Sequence, residues 1–257
     1  MTRQNVQEFL FYPGCTLNTT AAPLSLCAKK SAEALGFSLT ELDEWQCCGA
    51  VFPLAADEIA SKLSSVRALK ASIDKGMPLV TLCSACFHVL KQVNHQAKVD
   101  KDFANAIKNY DSELEYNGGA IVLHYLEVLR DHVGFENVKA LVKKPLSCYR
   151  LGAYYGCMLL RPSIVMDIDD AENPSIFEDF IRAIGADAVS YPYRNECCGG
   201  YKVPEKSSEL SNMVMHSSAQ RGADSLITAC PLCEYNLSKH GSVYYFTELL
   251  AKALGVE

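Results

Sequence analysis

Asn195-Glu196-Cys197-Cys198-Gly199-Gly200 is the stretch on which the reading of this chain turns, because Cys47-Cys48-Gly49 states its core once before. Tyr155-Gly156-Cys157 precedes the later copy and Cys230-Pro231-Leu232-Cys233 follows it. Tyr12-Pro13-Gly14-Cys15 and Cys83-Ser84-Ala85-Cys86 stand in the same places around the earlier one. Each copy therefore carries five cysteines in one order. The spacings are 32 and 35 positions in the first copy (Cys15 to Cys47, Cys48 to Cys83) and 40 and 32 in the second (Cys157 to Cys197, Cys198 to Cys230). Constant order with drifting length is the trace of a duplicated supersecondary unit whose loops were free to change.

Reading outward from the copies, a chain of 257 residues with 49% apolar residues has enough material for two modest cores. The expected domains are residues 1–140 and 141–257. The formal net charge is -6, and lysines and arginines are scattered along the sequence, which argues against a nucleic-acid partner. Met1 to Glu8 is polar, and Phe9-Leu10-Phe11-Tyr12 is too short for a signal-peptide core. No run reaches the roughly 18 apolar residues of a membrane helix; the stretch Ala120 to Leu129 holds His124 and Glu127. These features lead us to expect a cytoplasmic chain with no membrane span. Twelve cysteines in a reducing compartment point to metal or redox chemistry before disulfides. A single cysteine such as Cys27 is well explained as a small buried apolar residue, but ten in a repeated order are not.

Between the cysteines, short apolar runs alternate with helical patterns. Phe9 to Tyr12, Phe37 to Leu42 and Pro78 to Leu82 read as strands in the first half. Leu151 to Tyr155, Ala188 to Tyr191 and Ser225 to Thr228 read as strands in the second. Helices are expected over 23–35, 57–75, 87–97, 175–184 and 207–221, several of them stopped by glycine. In the helix 57–75, Ile59, Leu63, Val66 and Ile73 form the expected core stripe. Val99 to Gly119 has no counterpart and is expected as a surface insertion, and 134–145 as the connection between halves. Ile121 to Leu129 resembles Val243 to Leu250, so both halves should close with the same helix. The expected fold class is α/β: two similar domains, each a small parallel sheet flanked by helices, related by internal duplication. Every repeated cysteine then falls beyond the carboxyl end of a strand, where parallel sheets gather ligands.

Five thiolates per copy constrain the chemistry. Cys-x-x-Cys alone suits zinc, thioredoxin-like and iron-sulfur sites equally. A structural zinc takes four ligands and leaves one thiolate idle, and a thioredoxin-type reading of Cys83/Cys86 or Cys230/Cys233 leaves three idle. An ordinary cubane cluster also takes four. The adjacent pair, with Cα atoms only about 3.8 Å apart, suggests a crowded or bridging ligand set at a sharp turn. Ligand count thus favours a larger iron-sulfur assembly over zinc. No Gly-x-Gly-x-x-Gly turn or Gly-x-x-x-x-Gly-Lys-Ser/Thr loop is present, so no flavin, NAD or nucleotide site is expected, and electrons should arrive from another protein.

The chain resembles the B-type component of heterodisulfide reductase, which is built from two cysteine-rich CCG domains. The ten cysteines carry the likeness. Tyr155-Gly156-Cys157, Leu159-Leu160-Arg161-Pro162-Ser163, Glu172-Asn173-Pro174 and Ala186 add to it. The resemblance implies one noncubane 4Fe-4S cluster per half. Cys15, Cys47, Cys48, Cys83 and Cys86 would hold one; Cys157, Cys197, Cys198, Cys230 and Cys233 would hold the other, nearer the electron-donating partner. It implies a disulfide substrate, the coenzyme M–coenzyme B conjugate or a related one, cleaved homolytically between the clusters, with two electrons and two protons completing release of two thiols. It implies partners too: a flavin-containing A-type subunit and a ferredoxin-like C-type iron-sulfur subunit. Two other readings stay open, an electron-transfer adaptor of another oxidoreductase and a zinc-stabilised assembly module, with zinc in one half also open.

Two departures from the family pattern bear on the substrate. Met158 follows Cys157 where relatives often carry histidine, which removes a proton donor. Tyr201-Lys202 follows Gly199-Gly200 where relatives often continue with glycine, which narrows the pocket. Met158, Tyr201 and Arg161 are the candidate substrate contacts, Arg161 for an anion, although a salt-bridged arginine reads equally well. Tyr154, Tyr155, Tyr191 and Tyr193 are expected to pack beside the clusters and exclude water. The six histidines show no paired metal-ligand spacing, and Cys27 and Cys148 lie outside the pattern.

Overall fold

A computed structural model of the chain describes residues 7–50 and 59–257. It holds two four-stranded sheets. The first comprises β1 (Gln7–Phe11), β2 (Phe37–Glu41), β3 (Leu79–Thr81) and β4 (Val122–His124); the second comprises β5 (Arg150–Tyr154), β6 (Asp187–Val189), β7 (Ser225–Thr228) and β8 (Val243–Tyr245). All pairings are parallel, and the orders β2-β1-β3-β4 and β6-β5-β7-β8 are the same order twice. The helices are α1 (Ala22–Leu35), α2 (Ala60–Lys75), α3 (Ser84–Val99), α4 (Lys101–Tyr110), α5 (Tyr125–Glu127), α6 (Phe135–Leu141), α7 (Ser163–Met166), α8 (Ile176–Ala183), α9 (Pro204–Gln220), α10 (Pro231–Leu237) and α11 (Phe246–Leu254). A π-helical turn, Val128–Val133, continues α5. The expected fold class is thus observed.

Continuous apolar runs make the strands, because helices cover these parallel sheets: Phe9, Leu10 and Phe11 in β1 and Leu79 and Val80 in β3 are fully buried. The chain moves from β1 outward to β2 and then back past β1 to β3. The strand order therefore reverses between β1 and β3, and between β5 and β7. Cys15 follows β1 and Cys83 follows β3, so the sulfurs lie at the point where ligands of open parallel sheets collect. Cys157 and Cys230 repeat this in the second sheet.

Three expectations need correction. Each sheet has a fourth strand: Val122–His124 and Val243–Tyr245 fall within the expected closing helices, but each pairs with its neighbour for three residues before the helix begins. Ile73 is 46% exposed, and Leu69 with the small Ser65 and Ser72 fills the inward face of α2 instead. The connection 134–145 contains α6, which packs on α8. Residues 57 and 58 of the expected second helix lie outside the described residues. The insertion does hold a surface helix, α4, capped by Asp100, whose carboxylate accepts from the Asp102 and Phe103 amides at 3.0 Å.

The halves join through swapped helices: α1 packs on α11 and α8 on α5. At the centre, the Phe246 ring lies 5.9 Å from Tyr125, 6.3 Å from Phe177 and 6.0 Å from Phe180, giving one core shared by both halves. Glu127 and Glu248 do the same local work, each accepting the amide three residues back, from His124 at 2.6 Å and Tyr245 at 3.0 Å. Burial pushes Glu127 up to about 7. Its carboxyl binds a proton more tightly in the folded chain, so its contribution is full below the unfolded value of 4.5 and is lost as pH rises through about 7. Urea unfolding should therefore show the chain more stable at pH 5 than at pH 8 by about 3 kcal/mol from this group. Glu127→Gln should remove that difference; an unchanged pH slope would refute the assignment.

Candidate functional site

The ten repeated cysteines meet in a single file. Cys15 and Cys47 sulfurs are 3.6 Å apart, Cys48 and Cys86 3.4 Å, and Cys198 and Cys233 3.4 Å. The remaining neighbours lie close enough to shift one another's proton affinity: Cys47 with Cys48, Cys86 with Cys83, Cys230 with Cys233, Cys198 with Cys197 and Cys197 with Cys157. Cys83 and Cys230, one from each half, affect each other in the same way, and Cys230 walls the cavities of both sulfur sets. The file thus runs from Cys15 to Cys157. Its middle is buried, and only Cys15, Cys47, Cys157 and Cys197 are partly open. Cys27 and the exposed Cys148 stand apart from it.

Each sulfur is placed by its backbone. Gly14 (φ +72°) and Gly156 (φ +66°) turn the chain after β1 and β5, and a Cβ at Gly14 would lie 2.9 Å from the Cys86 sulfur. The Tyr12 hydroxyl donates to the Gln46 carbonyl, and the Tyr154 hydroxyl donates to the Glu196 carbonyl at 2.7 Å. These equivalent bonds tie each first-cysteine turn to the residue before its Cys-Cys pair. Ser64 Oγ donates to the Cys47 carbonyl at 2.8 Å and Ser211 Oγ to the Cys198 carbonyl at 2.9 Å, holding the pairs from α2 and α9. Cys83 and Cys230 are the caps of α3 and α10.

So many buried thiols cannot ionise together. Hydrogen bonding from Cys47 and Cys86 holds Cys48 well below the usual thiol range. Cys157 does the same for Cys197, and Cys233 for Cys230. Their neighbours move the other way: Cys86 and Cys233 are pushed up by the sulfurs beside them and by burial. Only a cation placed among them lets all ten become thiolates, which is what metal binding does as it releases protons. Among the described residues, no three or more His, Cys, Asp or Glu side chains surround a point as ligands of one ion do.

Two cavities flank the file. One, with about 50 Å3 of free room, is walled by Cys15, Cys47, Cys48, Cys83, Cys86 and Cys230 with Tyr201 and Leu232; the other, with about 10 Å3, by Cys157, Cys197, Cys198, Cys230 and Cys233 with Met158, Tyr201 and Leu232. Tyr201 thus faces both, and its hydroxyl lies 3.8 Å from the Met158 sulfur. Burial, then the charges of Cys230 and Cys83, raises its pKa, so its proton stays on. Arg161 lines neither cavity; it pairs with Glu172 and donates to the Asn195 carbonyl, both at 3.1 Å. Tyr154, Tyr155 and Tyr191 are buried, but Tyr193 is 37% exposed.

Several positioning groups carry no signal in the sequence. Arg194 and Glu178 form a buried pair at 2.8 Å, and Glu178 also takes the Tyr155 hydroxyl. The Arg194 carbonyl accepts the Tyr155 amide at 2.8 Å and the Gly156 amide at 3.3 Å, fixing the turn that carries Cys157. His88 reaches across from α3, its Nδ1 3.3 Å from the Met158 carbonyl. His124 and Tyr245 hold equivalent places at the ends of β4 and β8, and both contact the Leu82 carbonyl, at 3.1 Å and 2.8 Å. The repeated closing segments are the one signal that points to this equivalence. Near the first cavity, burial, Glu248 and Cys230 push Glu234 up to about 7.

The cysteine-rich domain model, CCG, matches residues 9–91 and 151–238. The chain belongs to the CCG cysteine-rich domain family. It is 30% identical to the 8-methylmenaquinol:fumarate reductase membrane anchor subunit of Wolinella succinogenes, over 97% of this chain and 93% of that one. It is 26% identical to the B-type component of the ferredoxin/F(420)H(2)-dependent CoB-CoM heterodisulfide reductase of Methanosarcina acetivorans, over 95% and 88%. Relatives of that name bear out the resemblance drawn from the cysteine motifs. A solved structure, a hypothetical protein from Helicobacter pylori, shares the fold at TM-score 0.71 and 12% identity, covering 99% of this chain and 50% of that one, so this chain spans half its length. Among the described residues, no helix is long and apolar enough to cross a membrane.

Proposed function

We propose that this CCG protein is an iron-sulfur subunit of a heterodisulfide reductase-like complex that reduces a small-molecule disulfide where its two sulfur sets adjoin. In this reading residues 1–140 and 141–257 each supply five cysteine ligands to one noncubane 4Fe-4S cluster. The observation that carries it is that the ten sulfurs gather in one place, with Cys230 walling the cavities of both sets. The donor set fits: the thiols are soft and crowded, their proton affinities call for a cation, and their arrangement in file suits a polynuclear centre better than one tetrahedral ion.

When bound, such clusters supply single electrons and iron sites for sulfur. The chain's own residues do the rest. Tyr12 and Tyr154 lock the ligand turns. Leu232 and the buried tyrosines exclude water, and Tyr201 keeps a proton on its hydroxyl at the edge of both cavities. Reduction of a disulfide consumes two electrons and two protons and yields two thiols; the electrons would come from a flavin-containing A-type subunit through a ferredoxin-like C-type subunit.

A second reading, an electron-transfer subunit with no disulfide chemistry, is favoured by Met158 and by the likeness to the Wolinella fumarate reductase protein. Anaerobic reconstitution separates the readings. Disulfide reduction predicts about eight irons per chain and oxidation of reduced viologen that depends on added disulfide. Eight irons without disulfide turnover would select the electron-transfer reading, and a colourless protein with about two zincs the assembly module.

A further inference from the structure

Three hydrogen bonds tie the two halves together beside Cys83 and Cys230. The Ser84 amide and the Ser84 hydroxyl both donate to the Ala229 carbonyl, at 2.9 Å and 3.0 Å, and the Tyr245 hydroxyl donates to the Leu82 carbonyl at 2.8 Å. Leu82 and Ala229 are the residues that precede the two cysteines. Leu82, Ser84, Ala229 and Tyr245 are all buried, so opening this seam would strand donors and acceptors that water does not reach.

His124 and Tyr245 stand in equivalent places but reach differently. The Leu126 amide donates to His124 Nδ1 at 3.2 Å, which puts the ring proton on Nε2, and Nε2 donates at 3.1 Å to Leu82 of its own half. The Tyr245 hydroxyl also contacts the carbonyl of its own half, Ala229 at 3.2 Å, but its shorter bond goes to Leu82 across the seam. The Leu82 carbonyl thereby accepts one hydrogen from each half, which fills both its lone pairs. The longer phenol turns a bond within one half into a bridge between two.

We propose that Tyr245 is a positioning residue whose hydroxyl, bridging to Leu82, fixes how far apart the two sulfur sets stand. The role rests on the disulfide-reducing reading above, in which one ligand meets both sets. Both Ser84 bonds end on a single oxygen, which makes a pivot; the Tyr245–Leu82 bond is the second point that stops the halves turning about it. Tyr245 lines neither sulfur cavity, so it acts through the backbone of Cys83 and Cys230 and not on the ligand. A molecule that must touch two centres needs their separation held, since a misplacement of about 1 Å can cost about a hundredfold in rate.

The test compares wild type with Tyr245→Phe, which removes the hydroxyl, and with Tyr245→His, which offers Ala229 the kind of local bond His124 makes to Leu82 and gives up the bridge. In the full chain reconstituted anaerobically, hydrogen exchange at the Ser84 amide should quicken about tenfold or more in both variants. The Tyr12 and Leu226 amides, bonded to Val80 and Ser242 inside their own sheets, should keep their protection. With both centres paramagnetic, the spin–spin splitting between them should weaken. Disulfide turnover should lose about tenfold or more in kcat with KM moved less than about threefold, the mark of lost positioning and not of lost binding. Equal loss of protection at all three amides would make Tyr245 a core stabiliser only and overturn the proposal. Unchanged exchange at Ser84, or a splitting and a kcat that hold while Ser84 opens, would overturn it too, and each leaves disulfide reduction standing. Wild type that loads both centres and reduces no disulfide overturns the disulfide reading; exchange and splitting then decide by themselves whether Tyr245 sets the separation.

Discussion

Cys198→Ser should empty one half of the protein and spare the other. Cys198 is buried between Cys197 and Cys233, its carbonyl pinned by Ser211, and the second sheet supplies every ligand proposed for its centre. After anaerobic reconstitution the iron content is expected to fall from about eight to about four per chain, and disulfide turnover by at least about a hundredfold. Cys48→Ser should do the same to the first half. Cys27→Ser is the control, since that thiol stands outside the file. Retention of full iron and full turnover in Cys198→Ser would remove the proposed ligand set. Loss of both centres in either single variant would instead mean that the two sets load as one unit through the Cys83–Cys230 contact.

The second large effect concerns stability. Arg194 and Glu178 have side chains only 10% and 5% exposed, the most enclosed ion pair among the described residues. Arg194→Met leaves the Glu178 carboxylate buried with the Tyr155 hydroxyl as its remaining side-chain partner, and removes the bonds to Ser190 and Asn173 as well. Breaking one side of such a pair costs about 3–5 kcal/mol. Replacing both with apolar residues, Arg194→Met with Glu178→Leu, should recover much of that loss, because the penalty lies in the orphaned charge. Urea unfolding of the single and double variants measures both. Since the Arg194 carbonyl holds the Cys157 turn, the single variant should also load metal less well in the second half than in the first. A loss under about 1 kcal/mol would show that the pair is not holding this loop.

The cysteines made the architecture legible because each repeated sulfur punctuates a strand end, and the spacing between them leaves room for one helix and one strand. What stayed hidden was short or long-range. Val122–His124 and Val243–Tyr245 run without a break into helices, so three-residue strands were absorbed into the helical pattern that follows them. Ile73 fits the helical period, but the interior position goes to Leu69, while Ser65 and Ser72 allow close packing. Tyr193 has the look of a companion to Tyr191, yet Tyr191 is buried and Tyr193 is exposed. Arg161 met a carboxylate eleven positions on, a pairing that loop geometry alone decides. The file of sulfurs could be counted in the sequence, but its crossing between halves could not, since it depends on how α3 and α10 face each other.

That crossing is asymmetric. The Ser84 amide donates to the Ala229 carbonyl at 2.9 Å, but the matching position in the second half is Pro231, which has no N–H to return to Leu82. Tyr245 and His124 satisfy Leu82 instead. Two copies of the first repeat could still face each other as mirror donors and acceptors; two copies of the second would lack both backbone bonds, leaving each Ala229 carbonyl only its own Tyr245 hydroxyl at 3.2 Å. If the ancestor was a self-pairing single repeat, this proline marks a place where the two descendants ceased to be interchangeable.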